Sequence, residues 1–156
     1  MDIPARYAIP AVLAVLAVVA ALLYFLVKPP ASVPAPQQLA QKQIIVGGSV
    51  VWVAVADTET SREKGLSGSE PLGTREGMLF IFDTDGTWGI WMKDMLFSID
   101  IVWVDASGTV VTVARDVAPE TYPEVFLPSS PVRYVLELPA GFAAARGIVE
   151  GGQIVL

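Results

Sequence analysis

The feature that most constrains this chain is an uninterrupted apolar run near its N-terminus. Residues 8–27 read AIPAVLAVLAVVAALLYFLV and carry no charged side chain. A helix of about twenty residues spans roughly 30 Å, which matches the hydrocarbon thickness of a bilayer. A buried helix of a soluble domain normally keeps a polar stripe, and this run has none. We therefore predict a transmembrane anchor over residues 8–27, preceded by a short flank, residues 1–7.

A cleaved signal peptide is the alternative interpretation of the same run. Signal peptides combine an apolar stretch of about 7–15 residues with a small-x-small cleavage site. Here the run is longer, and Lys28-Pro29-Pro30 follows it directly, so the pattern favours an uncleaved anchor. The flanking positive charges are nearly balanced, but the N-terminal flank is very short. We expect a single-pass protein of the cell membrane with its C-terminal domain on the extracytoplasmic side.

The rest of the chain is acidic and contains neither cysteine nor histidine. Residues 28–43 hold four prolines and are predicted to form a semi-rigid linker. Residues 44–156 carry 15 Asp and Glu against 7 Lys and Arg, a net charge of −8. Phosphate backbones repel such a domain, so nucleic acid is not an expected partner. The missing histidine and cysteine exclude imidazole bases, thiol chemistry and ordinary zinc sites, and we expect no cofactor or metal.

Short apolar segments separated by turn residues predict an all-β domain over residues 44–156. The predicted strands are residues 44–46, 50–56, 78–82, 87–92, 99–104, 109–114, 132–138 and 153–156, and the two short predicted helices are residues 58–64 and 142–146. Residues 116–131 hold four prolines and are predicted to form a long irregular loop. The connections are too short for repeated βαβ crossovers, so we expect an antiparallel sandwich or barrel.

A set of short sequence blocks is spread in a fixed order over residues 50–155. The blocks are Ala56-Asp57-Thr58, Arg62 with Gly65-Leu66, Gly77-Met78-Leu79-Phe80-Ile81-Phe82, Trp91-Met92-Lys93, Asp100-Ile101, Asp105 with Gly108, Tyr134-Val135-Leu136-Glu137 with Ala140-Gly141, and Gly147-Ile148. In this combination the chain resembles the prokaryotic domain of unknown function 192 family, whose members are often exported or membrane-anchored. The resemblance implies a compact jelly-roll-like β-fold and no established activity.

Three positions depart from the pattern of that family. Ser67-Gly68-Ser69 stands where members usually carry an arginine after Gly-Leu. Asp94 stands where an asparagine is usual, and Gly151-Gly152 stands where Gly-Asp is usual. If the family has a polar site in these loops, the resemblance implies that this chain carries an altered version of it.

Several polar and aromatic residues are candidates for a site at the rim of the β-domain. The polar candidates are Arg62, Lys93, Asp94, Asp100 and Glu137, and the candidate aromatic lining is Trp91, Tyr122 and Phe126. Asp100 and Glu137 each interrupt an apolar strand. If both sheet faces are covered, each carboxylate needs a partner, and for Asp100 we expect Lys93 or Arg62. The alternative, which we favour, is that these charges form structural ion pairs or cap backbone groups.

The turn Asp83-Thr84-Asp85-Gly86 can also be interpreted as a calcium site. Its first residues have the spacing of a calcium loop, but Asp94 stands where that loop requires a glutamate. An ordinary β-turn is the favoured interpretation, and no metal-binding residue is predicted.

Three functions fit these observations. The main hypothesis is a non-catalytic binding or accessory domain for an envelope glycan or protein, because the chain has an anchor and a linker but no recognisable catalytic set. A carboxylate-based hydrolase of envelope carbohydrate would need Asp100 and Glu137, or another carboxylate pair, to converge in a cleft as an acid–base pair. A structural subunit of a membrane complex would expose an apolar patch on the domain.

Overall fold

The structure is a computed structural model that describes residues 17–18 and 39–156. The predicted flank, the predicted anchor and most of the predicted linker lie outside these residues, apart from Ala17 and Val18, which are helical. Within the described residues, no helix has the length and the apolar character needed to cross a bilayer. Residues 39–156 lie in one compact unit, and its first strand starts at Gln41, three residues before the predicted boundary.

Eight strands and two short helices make up this unit. The strands are β1 (Gln41–Val46), β2 (Ser49–Ala56), β3 (Glu76–Gly86), β4 (Ile90–Trp91), β5 (Ile99–Val104), β6 (Val110–Val117), β7 (Val125–Phe126) and β8 (Val132–Pro139). The helices are α1 (Glu59–Lys64) and α2 (Phe142–Ala145), with a 3₁₀ turn at Pro119–Thr121. The prediction of a β-rich domain with two short helices is confirmed.

The main sheet is mixed rather than antiparallel. Its six strands run in the order β1-β2-β3-β8-β5-β6, and β4 pairs with β7 in a separate sheet. The strands β2 and β3 are parallel, so the expectation of a fully antiparallel sheet was wrong. A parallel pair needs a crossover of a dozen or more residues, usually with a helix. Residues 57–75 supply it, with α1 inside and Thr58 and Ser61 forming its capping box.

The two edge strands of the main sheet are linked by the C-terminal segment. Ile45 of β1 forms an antiparallel bridge with Val155, and Thr109, just before β6, forms one with Gln153. Hydrogen bonds of 3.0 and 3.2 Å join the backbones of Ile45 and Val155. The predicted strand over residues 153–156 is thus reduced to isolated bridges, one at each edge of the main sheet.

Each face of the main sheet carries a core of apolar side chains. The inner core contains Val51, Val53, Leu79, Leu136, Leu138 and Phe142 of α2. The outer core contains Phe80, Ile101, Trp103 and Val135 under Leu66, Ile90, Met92 and Met95. Because successive residues of a strand face opposite sides, Asp100 on β5 and Glu137 on β8 each enter one of these two cores.

The region around β3, β4 and β7 differs from the sequence-based expectation. The predicted turn at residues 83–86 belongs to β3, whose pairing with β8 shifts register between Ile81 and Gly86. An ion pair of 2.7 Å between Asp85 and Arg133 holds this stretch against β8. The predicted strand at residues 87–92 shrinks to β4, and the predicted loop at residues 116–131 contains the end of β6, the 3₁₀ turn and β7.

Gly77 gives a test of how closely β3 packs on its neighbours. A Cβ atom at Gly77 would lie 2.7 Å from the carbonyl oxygen of Glu137 and 3.3 Å from Val53. Gly77→Ala is expected to lower the free energy of unfolding by about 1–3 kcal/mol, because the backbone of β8 must shift. The matched control is Gly73→Ala, whose Cβ would meet only the flexible side chain of Glu76. Urea unfolding of both variants measures the difference, and equal stabilities would contradict the close packing.

Candidate functional site

Glu137 lies in the middle of β8 and faces the outer core. Its register partners are Met78 on β3 and Ile101 on β5, which both belong to that core. The residue is 4% exposed, and its Oε2 atom has no hydrogen-bond partner among the described residues. Burial raises the pKa of the carboxyl to about 8, because the charged form would lose its hydration. Glu137 is therefore mainly a neutral carboxylic acid at pH 7, and its O–H donor is free.

Glu137 lines a cavity of about 60 Å³, which we call the carboxyl cavity. Phe80, Ile90 and Met95 form apolar walls, and Trp91 lies at one side. A single water needs roughly 10–15 Å³ of such volume, so the cavity can hold a few waters or the end of a ligand side chain. A buried polar atom without a partner is unusual in a folded protein, and here it belongs to a residue that lines the cavity.

Arg62 of α1 lines the same cavity but is engaged elsewhere. Its Nη1 atom donates hydrogen bonds of 2.7 Å to the carbonyl of Asp57 and 2.8 Å to the carbonyl of Ile81. The guanidinium also lies over the ring of Phe82, 5.1 Å from its centroid. Arg62 thus ties α1 to β3, and it makes no ion pair with Glu137 in the described part of the chain.

The small sheet β4–β7 carries an exposed apolar surface beside the cavity. Trp91 lies opposite Val125, and these residues are 51% and 50% exposed. Leu127 is 58% exposed and lies with Val125 against Gly89, at 3.1 and 2.6 Å from the position of a Cβ atom there. Tyr122 meets the ring of Trp91 edge to face, with 6.0 Å between centroids. We call Trp91, Tyr122, Val125 and Leu127 the apolar rim.

The other side of the small sheet packs inward. Phe126 lies opposite Ile90, and both pack with the outer core. Phe126 therefore covers the core and is not part of the exposed surface. Sequence reasoning missed Val125 and Leu127 because their proline-rich neighbourhood indicated an irregular loop. The alternation Val125-Phe126-Leu127 was the signal that could have placed them on one face.

Lys93 and Asp94 follow β4 and hold the loop after α1. The carbonyl of Lys93 accepts a 2.8 Å hydrogen bond from Ser67 Oγ, and the carbonyl of Asp94 accepts one of 2.8 Å from the amide of Gly68. Asp94 has a φ of 56°, in the left-handed region that Asp tolerates better than most residues. The Nζ atom of Lys93 lies 5.8 Å from the centroid of the Trp91 ring. Lys93 therefore borders the apolar rim.

Asp100 is fully buried on the inner side of the sheet, where it binds backbone amides. Its Oδ1 atom accepts hydrogen bonds of 2.9 Å from the amide of Asp116 and 3.2 Å from that of Gly141. Its Oδ2 atom accepts one of 2.7 Å from the amide of Ala143 in α2. The expected partners Lys93 and Arg62 make no hydrogen bond to it. Asp100 joins β6 and the start of α2 to β5.

Asp100 and Glu137 lie on opposite faces of the sheet. Asp100 is directly opposite Leu138, whereas Glu137 is directly opposite Ile101. Residues that are directly opposite each other point to the same face, and successive residues point to opposite faces, so the two carboxylates lie on different sides of the sheet. They share no cleft and cannot act as an acid–base pair on one glycosidic bond. Of the sequence candidates, Arg62, Trp91 and Glu137 line one cavity, Lys93 and Tyr122 border it through Trp91, and Asp94, Asp100 and Phe126 have structural positions.

Comparison with known proteins identifies similar solved structures. A crystal structure of a candidate transcription regulator from Sinorhizobium meliloti 1021 is similar, with 26% identity and a TM-score of 0.71, over 77% of this chain and 96% of that one. A crystal structure of a protein of unknown function from Novosphingobium aromaticivorans DSM 12444 is similar with 27% identity and a TM-score of 0.72, over 81% of this chain and 92% of that one. No curated protein matches at a significant level.

The family comparison covers almost the whole described domain. The model of DUF192, described as "Uncharacterized ACR, COG1430", matches residues 42–156. This range includes all the sequence blocks on which the resemblance rested, together with the carboxyl cavity and the apolar rim. The chain belongs to the DUF192 family.

Proposed function

We propose that this chain is a non-catalytic binding domain that docks another protein of the cell envelope through the apolar rim. The observation that carries the proposal is the exposure of Trp91, Val125 and Leu127 on one face of β4–β7, beside a cavity with an unpaired acid. Clustered exposed aromatic and aliphatic side chains are typical of protein interfaces, whose binding energy concentrates in a few such anchors.

In this proposal residues 8–27 anchor the chain in the cell membrane and the domain lies on the extracytoplasmic side. The uncharged run and the proline-rich linker over residues 28–43 support this location. The domain is a jelly-roll-like barrel, and the link between β1 and β6 through the C-terminal segment supports that description.

A protein partner fits the apolar rim better than a glycan or a nucleic acid. Trp91 could stack on a sugar ring, but Val125 and Leu127 offer no hydrogen bonds to the hydroxyl groups of a glycan. The transcription-regulator description of the Sinorhizobium protein is not extended to this chain, because a net charge of −8 over residues 44–156 disfavours contact with DNA. The hydrolase alternative loses its acid–base pair, since Asp100 and Glu137 are on opposite faces.

Site-specific photo-crosslinking in cells tests this function. A photoreactive side chain at Leu127 is expected to give a discrete crosslinked protein, whereas one at the exposed control position Val149 is not. Adding Trp91→Ser to the Leu127 probe is expected to lower the yield by at least about tenfold, because truncating an interface anchor often costs 2 kcal/mol or more. Gel electrophoresis and mass spectrometry measure the adduct.

Two results would contradict a protein-docking role for the apolar rim. One is an equal yield of adducts at Leu127 and Val149, which would show that the rim attracts no specific protein. The other is binding of the chain to a glycan array that Trp91→Ser abolishes, together with no protein adduct at Leu127.

A further inference from the structure

We propose that the carboxyl cavity binds a primary alkylammonium group, such as the end of a lysine side chain from the docked protein. The inference deepens the proposed function and rests on it only for the source of the group. The geometric basis is that Glu137 lines this space and is 4% exposed, and that its buried Oε2 atom has no hydrogen-bond partner among the described residues. A ligand that fills the cavity can supply a partner for this carboxyl group.

The walls of the cavity suit the shape and charge of an alkylammonium group. Phe80, Ile90 and Met95 are apolar and can pack against methylene groups. Trp91 adds an electron-rich ring at the side, and the Nζ atom of Lys93 already lies 5.8 Å from its centroid. Lys93 thus shows that the Trp91 ring accommodates an ammonium group, although Lys93 itself does not line the cavity.

The charged groups around Glu137 leave its carboxylate available to an incoming cation. Arg62, Glu63 and Lys64 are the other charged residues that line the cavity. Arg62 donates to the backbone carbonyls already described, and the ammonium group of Lys64 donates to the carbonyl of Ser67. None of them forms an ion pair with Glu137 in the described structure. The net charge of −8 over residues 44–156 further attracts cations to the domain.

The effect of a ligand on the pKa of Glu137 distinguishes a cationic ligand from a neutral one. At pH 7 Glu137 holds its proton, because burial raises its pKa to about 8. An ammonium group prefers the carboxylate, so its binding releases that proton and lowers the pKa. A neutral hydroxyl or amide can bond to the protonated acid and has no reason to release the proton. The affinity for an ammonium group is therefore expected to rise about tenfold for each pH unit between pH 5 and 8.

The test uses n-butylammonium chloride as the probe on the full chain in zwitterionic detergent. The Glu137 carboxyl carbon is followed by NMR through a pH titration, and its resonance is assigned with Glu137→Gln. At a probe concentration ten times its dissociation constant for the carboxylate form, the pKa of Glu137 is expected to fall by about one pH unit. n-Butanol and sodium chloride at the same concentrations are the matched controls and are expected to leave it unchanged.

Two outcomes would overturn the assignment of this site. The first is a titration of Glu137 that n-butylammonium does not move. The second is an equal effect of n-butanol, which would make the cavity a site for neutral groups. Neither outcome depends on a protein partner, so the crosslinking at Leu127 can succeed while this inference fails, and the reverse.

Discussion

Glu137→Gln is expected to raise the free energy of unfolding by about 4 kcal/mol at pH 8 and to leave it nearly unchanged at pH 4.5. The cause is the buried carboxyl group, whose pKa rises from 4.5 to about 8 in the folded domain. Glutamine has a similar size and carries no titratable proton. The variant therefore removes the cost of ionising a buried acid and keeps most of the packing of Glu137 in the outer core.

The sign follows from which state holds the proton. Between pH 4.5 and about 8 the folded domain keeps the proton on Glu137, while the unfolded chain has released it. Rising pH therefore favours the unfolded chain, by about 1.4 kcal/mol for each pH unit in this window. The loss ends above pH 8, where both states are ionised. Below pH 4.5 both states are protonated, and Glu137 contributes no pH dependence.

Urea unfolding at a series of pH values, followed by tryptophan fluorescence, measures this effect. The informative quantity is the difference between Glu137→Gln and the natural chain, because the other titrating groups cancel in it. Glu150→Gln changes an exposed glutamate in the turn after α2 and is the matched control. Stability curves for Glu137→Gln and the natural chain that run parallel from pH 4.5 to 8 would contradict the burial of an unpaired acid.

The position of Glu137 shows how far sequence reasoning could go. Its place in an apolar strand was visible, and alternation put it on a face with Val135. Whether that face was covered depended on β4 and on Met95, which come from distant parts of the chain. Periodicity within one strand carries no information about what covers its face. The sequence pattern therefore did not decide whether Glu137 is exposed or buried.

Sheet topology was limited in the same way. The hairpin of β5 and β6 was predictable, because Asp105 and Gly108 form a local turn that Ser107 and Thr109 reinforce by bonding to the Asp105 carboxylate. The parallel pairing of β2 with β3 was not, because strand patterns do not name their partners. Likewise, the apolar rim depends on the pairing of β4 with β7, which brings Trp91 beside Val125 across a long stretch of chain.

Substitution of Asp100 is expected to have the second large effect on stability, and in this case the natural residue stabilises the domain. Asp100→Ala is expected to lower the free energy of unfolding by about 3–5 kcal/mol. Asp100 is 0% exposed, and its carboxylate accepts hydrogen bonds from the amides of Asp116, Gly141 and Ala143. The variant leaves these three amides without their acceptor. These donors lie 16, 41 and 43 residues away, so the loss loosens β6 and α2 from β5 together.

Comparing Asp100→Ala with Asp100→Asn separates the effect of losing hydrogen bonds from the effect of losing side-chain volume. Asp100→Asn keeps the shape and one acceptor oxygen, but its NH₂ group must face an amide donor, so we expect a stability between Asp100→Ala and the natural chain. Asp83→Ala removes an exposed carboxylate from β3 and is expected to change stability by less than about 0.5 kcal/mol. Urea unfolding at pH 7 measures all three. An Asp100→Ala variant as stable as Asp83→Ala would show that the three amides find other acceptors and that Asp100 does not hold α2 in place.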